Sequence, residues 1–237
     1  MEYPKHLTLL LTTLLIGLAT PALAKKEKLP DVTEDGLRLV PNSNLAIVYA
    51  EPGASLAGYD RVIILDPYVA FKKNWERDQR NSSAGSLRMT SSDIEQIKNK
   101  LASEFKTVFT QVLEEGGYPV VDAAGDDVLL LRPAIINLDI TAPDVARPGR
   151  TRSYVSSAGE MTLYVEAYDS VTGDIIAKAL DRKADRSNDS FYTWSSSVTN
   201  KAAADRIIKG WATIIVKALS EAKERLPDTG VAPENES

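Results

Sequence analysis

The chain has 237 residues, of which 43% are hydrophobic and 26% charged, and its net charge at pH 7 is −5. These values predict a globular protein of one or two domains, and they exclude the basic field that binding of nucleic acid requires. The chain has no cysteine and its single histidine is His6. Beyond His6 it therefore has no histidine- or cysteine-based catalytic site, and we expect neither a cofactor nor a metal.

The first 24 residues have the pattern of a secretory signal peptide. Lys5 precedes an apolar run over residues 7–19, and the small-residue triplet Ala22-Leu23-Ala24 follows. The run is shorter than the roughly 20 residues that span a bilayer, so we expect cleavage after Ala24 and no stable membrane anchor afterwards. An exported chain without disulfides fits a bacterial periplasm, with secretion as the alternative destination.

Composition divides the remaining chain into three parts. Residues 25–36 are charged and contain proline and glycine, which predicts a flexible lead-in. Residues 37–226 carry continuous hydrophobic patterning and form a single predicted domain. Residues 227–237 are polar and predict a disordered tail.

The domain begins with two predicted strands and a helix. The stretches "NLAIVYAEP" and "YDRVIILDPYVAF" read as strands, and Pro67 should bend the second one or place it at an edge. A long polar loop of unassigned role is expected over residues 72–92. Apolar residues at steps of three and four then predict a helix to about Glu115. Ser92 and Glu95 have the spacing of a capping box, and Gly116-Gly117 should end the helix.

The second half contains four predicted strands and a final helix. "YPVV" starts one strand, and "DVLLLRPAIINLDITA" forms a long one that we expect to bend at Pro133. "GEMTLYVEAYD" alternates in polarity, "SVTG" suits a turn at Gly173, and "DIIAKALDRKAD" returns as the second arm of a hairpin. The last helix begins near Thr199, and we expect the indole of Trp211 to be buried against Ala177 and Ala179.

The fold class predicted from these elements is α+β. The order β-β-α-β-β-β-β-α indicates a mostly antiparallel sheet with two amphipathic helices packed on one face.

The carboxylates of the predicted hairpin allow two interpretations. They form a catalytic pair or cation site, or they lie on the solvated side of a structural hairpin. Asp169 and Asp174 flank a tight turn, where aspartate is favoured for local hydrogen bonds, and the turn lacks the spacing of a calcium loop. We therefore favour the structural interpretation and place Glu166 on the outer face beside Tyr164 and Tyr168.

Three stretches together resemble a known family. They are "YAEPGASLAGYDRVIILDPYVAF", "YPVVDAAGDDVLLLRPAIINLDI" and "GEMTLYVEAYDSVTGDIIAKALDRKAD", and Trp211 in the last helix adds to the resemblance. The family is an uncharacterised bacterial one of small exported proteins, many of them lipoproteins, that share a domain of unknown function (DUF3313). The resemblance covers roughly residues 37–226 and implies no active-site residue. This chain has no cysteine for lipid attachment, so outer-membrane anchoring is not carried over.

Two segments are candidate binding surfaces. The loop "TAPDVARPGRTRSYVSSAG" holds Arg147, Arg150, Arg152 and Tyr154, and three guanidinium groups in an acidic protein suit a phosphate or carboxylate. The alternative is a solvated hairpin loop.

The second candidate surface is aromatic. "DRSNDSFYTWSSSVTN" brings Phe191, Tyr192 and Trp194 together before the last helix. Exposed aromatic side chains among serine and asparagine bind sugars or partner proteins. The alternative is an anchor that packs the last helix.

Three functions remain open from the sequence. The first is a non-catalytic envelope protein that binds another envelope protein or a cell-wall component, or that supports assembly. The second is a carrier of a small ligand or lipid, which would show a large apolar cavity between sheet and helices. The third is a carboxylate-dependent hydrolase, which would show two buried acids facing one cleft.

Overall fold

The computed structural model describes residues 29–82, 90–140, 153–155, 159–185, 193–195 and 197–224. The strands are β1 (Arg38–Leu39), β2 (Ile47–Ala50), β3 (Arg61–Ile64), β4 (Tyr68–Phe71), β5 (Val128–Ile140), β6 (Ser153–Val155), β7 (Gly159–Asp169), β8 (Ile175–Asp185) and β9 (Thr193–Ser195). The helices are a 3-10 turn (Leu56–Gly58), α1 (Trp75–Ser82), α2 (Ser91–Glu115) and α3 (Ser197–Glu224).

Among the described residues, seven strands form one sheet in the order β1-β2-β8-β7-β5-β3, and β4 pairs with β5 along the same edge as β3. The neighbours from β1 to β5 are antiparallel, whereas β3 and β4 run parallel to β5. The parallel pairing follows from the chain path, because α2 separates β4 from β5 and carries the chain back to the same end of the sheet. A second, two-stranded sheet consists of β6 and β9.

Both long helices pack on the same face of the large sheet. Phe105, Phe109 and Leu113 of α2 share one buried core with Ile208 and Trp211 of α3. The same core contains alternate residues of the strands, such as those at 129, 131, 163 and 165. The predicted α+β class, with a mostly antiparallel sheet and helices on one face, is confirmed.

The β7–β8 hairpin has the predicted strands and turn. Gly173 has a φ of 76°, which glycine adopts without steric cost. The carboxylate of Asp169 accepts backbone hydrogen bonds from Val171 at 2.9 Å and Thr172 at 2.8 Å. These bonds lower the pKa of Asp169 and show that this carboxylate stabilises the turn.

Two prolines explain why the sheet edge is divided between β3 and β4. β3 pairs with residues 128–131 of β5 and β4 with residues 134–138, so Pro67 and Pro133 both lie at or beside the break. Proline has no backbone N–H to donate to a neighbouring strand, so the pairing along this edge is readily interrupted here. The register of β5 shifts further on, between Ile136 and Asp139, where Asn137 has a φ of 52°, and the bend expected at Pro133 stays a prediction.

Three local predictions were wrong. The polar segment predicted as a loop over residues 72–92 contains helix α1, which is held by stacking of Trp75 on Phe71 with ring centroids 3.9 Å apart. "YPVV" contributes a single bridge between Val120 and Val62 instead of a strand. The capping box of α2 consists of Thr90 and Asp93, because the Thr90 side chain accepts from the Asp93 N–H and the Asp93 carboxylate accepts from the Thr90 N–H.

The domain boundaries stay predictions. The proposed signal peptide and the tail after Leu226 lie outside the described residues. Within the predicted lead-in, Thr33 exchanges backbone and side-chain hydrogen bonds with Leu37, and Asp35 pairs with Lys178 of β8.

Candidate functional site

A cavity of about 660 Å³ lies between the helix-side face of the sheet and α3. Its floor consists of buried aliphatic side chains from three strands and from α3. Its sides come from α3, from β2 and from the segments before and after β2. The lining residues are Val40, Pro41, Asn42, Ser43, Asn44, Leu45, Val48, Ala50, Ala54, Ser55, Leu56, Leu129, Leu131, Val165, Ala167, Ile176, Ala177, Ala179, Ile214, Ile215, Ala218, Leu219, Glu221 and Ala222.

The cavity exists because small side chains line β8 and α3 where they face each other. Ala177 and Ala179 of β8 lie opposite Ala218 and Ala222 of α3 across the cavity. From the sequence we expected the indole of Trp211 to be buried against these two alanines of β8. Trp211 is fully buried as predicted, but the alanines border a space instead of a tight contact along the C-terminal half of α3.

The cavity changes from apolar to polar from its floor to its mouth. Leu129, Leu131 and Val165 at the floor are buried. Asn42, Asn44 and Ser55 at the mouth are exposed. A site with an apolar interior and a few polar groups at one end is the usual arrangement for a small amphiphilic ligand.

A buried carboxylate fixes two walls of the cavity relative to each other. Asp181 of β8 is 3% exposed, and its Oδ2 accepts a hydrogen bond of 2.8 Å from the indole N–H of Trp211 in α3. Its Oδ1 accepts a 3.0 Å bond from the backbone N–H of Ala46, directly after the loop at the mouth. Lys183 lies 3.2 Å from Oδ2 and balances the buried charge.

A second buried carboxylate lies in β7. Glu166 is 5% exposed and accepts hydrogen bonds from the phenol O–H groups of Tyr164 at 2.6 Å and Tyr168 at 2.8 Å. The guanidinium of Arg132 lies 2.5 Å from Oε2, and Lys178 lies 4.0 Å from Oε1. We call these five residues the Glu166 cluster. Glu166 lies on the outer face beside Tyr164 and Tyr168 as predicted, but it is buried there because its neighbours cover it.

The pKa values in the Glu166 cluster follow from these contacts. Burial acts to raise the pKa of Glu166, but the two tyrosine hydrogen bonds and the charge of Arg132 outweigh burial and lower it. Burial and the bond to Glu166 raise the pKa of Tyr164 and of Tyr168. Glu166 is therefore held as a carboxylate with its oxygens occupied, which is the state of a structural acceptor.

The two buried carboxylates lie on opposite faces of the sheet. Asp181 is the register partner of Leu163, which belongs to the helix-side core, whereas Glu166 is the partner of Lys178. Cross-strand partners point to the same face, and positions 163 and 166 of one regular strand point to opposite faces. Asp181 and Glu166 therefore do not face a common cleft.

The structure places the sequence-predicted surfaces only in part. Arg147, Arg150, Arg152, Phe191 and Tyr192 lie outside the described residues. Tyr154 lies in β6 and Trp194 in β9, and the two are direct register partners in the small sheet. One residue of the predicted arginine surface thus pairs with one residue of the predicted aromatic surface. That either surface binds a partner stays a prediction.

Sequence reasoning missed the cavity lining and the role of Asp181. The only signal for the cavity was the excess of alanine at positions 177, 179, 218 and 222. Nothing local distinguishes Asp181 from its neighbours, because the donors of its two hydrogen bonds are 30 and 135 residues away in the chain.

The sequence model of the DUF3313 family, described as a protein of unknown function, matches residues 35–215. The chain belongs to this family. The family resemblance seen in the hairpin and the neighbouring strands is therefore confirmed. No curated protein matches the chain in sequence.

Several solved structures resemble the DUF3313 chain at low identity. The PelC dodecamer from Paraburkholderia phytofirmans has 12% identity and a TM-score of 0.37, with 70% of this chain and 96% of that chain covered. Protein XCC0632 from Xanthomonas campestris has 13% identity and a TM-score of 0.35, covering 73% and 90%. A minor lipoprotein from Acinetobacter baumannii has 10% identity and a TM-score of 0.32, covering 71% and 97%. At these scores none of the three supports a functional assignment.

Two features are lacking among the described residues. No helix among them combines the length and apolarity needed to cross a membrane. No three or more side chains of His, Cys, Asp or Glu among them are grouped so that they could hold a metal ion.

Proposed function

We propose that this DUF3313 protein is a non-catalytic binding protein of the bacterial envelope that holds a small apolar ligand between its sheet and α3. The observation that carries the proposal is the cavity of about 660 Å³ with its buried aliphatic floor. Ligand sites in proteins are concave, mostly apolar, and about 300–1,000 Å³ in volume. Of the functions open from the sequence, the carrier is the one for which such a cavity was the expected feature.

The energetics favour occupation by an apolar group. Each methylene that a ligand transfers from water into the cavity contributes about 0.8 kcal/mol. Six such groups contribute roughly 5 kcal/mol before the cost of immobilising the ligand is subtracted. Water gains little from the floor, because Leu129, Leu131 and Val165 offer no side-chain hydrogen bond.

The positions of the buried carboxylates support a non-catalytic role. A pair of acids that divides acid and base work must flank one substrate bond. Asp181 and Glu166 instead lie on opposite faces, and each accepts hydrogen bonds from fixed protein donors. We therefore propose that neither carboxylate takes part in catalysis.

The envelope location is proposed from the first 24 residues. The charged start, the short apolar run and the Ala22-Leu23-Ala24 triplet are typical of a cleaved signal peptide. N-terminal sequencing of protein released from the periplasm should begin at Lys25. A protein that keeps Met1 and remains in the inner membrane would contradict the proposal.

Ligand binding is tested with a fluorescent apolar probe, N-phenyl-1-naphthylamine, titrated into the purified protein. The variants are Ala179→Phe, which fills the floor, and Ala218→Phe, which fills the side formed by α3. We expect each to weaken probe binding at least tenfold, because a phenyl group occupies the space of the ligand. The matched control is Ala134→Phe in β5, the same change away from the cavity, on the outer face beside Tyr164.

Thermal melts establish that each variant is folded before its affinity is compared. If both filled variants fold and bind the probe as tightly as the unaltered protein, the cavity is not the binding site. If the unaltered protein does not bind the probe, the carrier proposal is wrong.

A second candidate function is binding of another envelope macromolecule. The observation in its favour is that Tyr154 and Trp194, one from each predicted surface, are register partners in the β6–β9 sheet. We propose that this sheet presents the contact residues. Capture of a cross-linked partner from envelope extract should be lost in a Tyr154→Ala, Trp194→Ala double variant, and retention of the same partner would exclude this surface.

A further inference from the structure

The charged groups around the cavity are unevenly distributed. Among the described residues that line it, Glu221 of α3 is the one charged side chain. The other polar lining residues are Asn42, Ser43, Asn44 and Ser55, which are all uncharged. The side of the cavity that meets solvent therefore has one carboxylate and a set of neutral hydrogen-bonding groups.

The negative charge of Glu221, which lines the cavity, is partly screened by a neighbouring lysine. Lys217 lies 3.5 Å from it, one turn earlier in α3, and the Lys217 side chain is mostly exposed. Lys217 does not line the cavity, so the charge among the described lining residues is the negative one of Glu221. A ligand carboxylate or phosphate at the mouth would meet this charge without a cationic side chain of the lining to offset it.

The neutral groups at the mouth suit a head group that exchanges hydrogen bonds without carrying a charge. The amides of Asn42 and Asn44 each offer two N–H donors and one carbonyl acceptor, and both residues are exposed. Ser55 accepts a bond of 3.1 Å from the Ala57 N–H, which leaves its own O–H proton to donate. Ser43 already donates to the carbonyl of Leu45 at 2.6 Å, which stiffens the loop that carries the two asparagines.

We infer that the ligand is a single-chain amphiphile with an uncharged, hydroxyl-bearing head group, its alkyl chain on the aliphatic floor and its head group between the loop at residues 41–45 and Glu221. This inference rests on the proposed function. The volume of about 660 Å³ suits one small ligand, and the polarity of the lining changes in one direction, from floor to mouth.

The test uses probes with one alkyl chain and different head groups. Decanol, decanoate and decyltrimethylammonium are titrated calorimetrically at pH 7.5, each below the concentration at which it forms micelles. We expect decanol to bind at least tenfold more tightly than decanoate, which is a difference of about 1.4 kcal/mol. Decyltrimethylammonium should bind more weakly than decanol, because its head group can exchange no hydrogen bond with Asn42, Asn44 or Ser55. It should bind more tightly than decanoate, because its charge is opposite to that of Glu221.

Substitution of Glu221 tests whether its charge causes the preference for decanol over decanoate. Glu221→Gln should reduce the preference for decanol over decanoate to less than threefold, and Glu221→Lys should reverse it. Glu224→Lys is the matched control, because it makes the same charge change in the last turn of α3, at a residue that does not line the cavity.

The outcomes separate this inference from the proposed function. If the unaltered protein binds decanoate as tightly as decanol or more tightly, the head-group inference is wrong while the carrier proposal stands. The inference is also wrong if Glu221→Lys leaves the preference unchanged. If none of the three probes binds, both proposals fail together.

Discussion

Truncation of Trp211 to alanine should remove a large part of the stability of this fold. The indole is fully buried in the core between α3 and the sheet. Replacing a buried tryptophan by alanine costs about 3–5 kcal/mol, because the removed atoms lose their burial and a cavity remains. The total free energy of unfolding of a domain is about 5–15 kcal/mol, so the loss is severe.

The hydrogen bond to Asp181 adds a second, separable cost. Its Oδ2 loses the 2.8 Å bond from the indole N–H and stays buried with Lys183 as its remaining side-chain partner. Trp211→Phe weights this effect, because it removes the donor but keeps an aromatic ring and leaves a smaller cavity than Trp211→Ala. Hydrogen bonds to charged groups contribute about 1.5–3 kcal/mol, so we expect Trp211→Phe to destabilise by that amount and Trp211→Ala by more.

The assay is equilibrium unfolding in urea together with thermal melts. In a domain of this size 1 kcal/mol corresponds to about 2–4 °C, so Trp211→Ala should lower the melting temperature by roughly 6–20 °C. Tyr68→Ala, which truncates an aromatic side chain that is 67% exposed, is the control and should change stability by less than about 0.5 kcal/mol. A Trp211→Ala protein within about 1 kcal/mol of the unaltered one would refute the packing described for α3.

Three further predictions concern the hairpin and its neighbours. Gly173→Val should destabilise by about 1 kcal/mol or more in urea unfolding, since a β-branched residue is strained at a φ of 76°; an unchanged midpoint would mean that the turn rearranges freely. Burial and the bond to Asp169 raise the pKa of Tyr59 to about 12. The free energy of unfolding should therefore fall as pH rises from about 10 to 12, and in Tyr59→Phe it should fall less over that range. The pKa of Glu166 is lowered in the folded state, so its stabilising contribution is present above about pH 4.3 and is lost as the pH falls below that value. The stability of Glu166→Gln should therefore be less sensitive to acid, while its affinity for the probe stays the same. A loss of probe affinity would place Glu166 in the binding site.

The parts of the fold that the sequence predicts well are those determined by short-range patterns. Alternation over 11 residues gives the strand from Gly159 to Asp169, and the glycines after Glu115 end α2. The prediction failed where tertiary contacts decide the local structure. The segment from Trp75 to Ser82 has Trp75 as its one apolar side chain and so shows no apolar stripe. The helix there is anchored by the stack on Phe71 and by the indole N–H bond to the carbonyl of Ile140.

The candidate site was less predictable than the fold, because its properties arise between distant segments. Alternation in β7 correctly separated the two faces, but polarity alone could not show that Glu166 is covered by Tyr164, Tyr168 and Arg132. Position 132 comes from another strand, and no pattern within the hairpin refers to it. A cavity is even harder to infer, since it is the volume left over after all facing side chains have been placed.

The pairing of β2 with β8 has a consequence for how the chain folds. Ile47 pairs with Leu180, and β1 pairs only with β2 among the described strands. A ribosome or a translocation pore that delivers the chain from its N-terminus therefore releases β2 long before its partner β8, and β1 joins the sheet only through β2. Contacts between residues so far apart in the sequence make folding slow, in the range of milliseconds to seconds for small β-rich domains. During that interval the N-terminal strands are open to chaperones, and folding can be completed only after delivery of the chain is nearly finished.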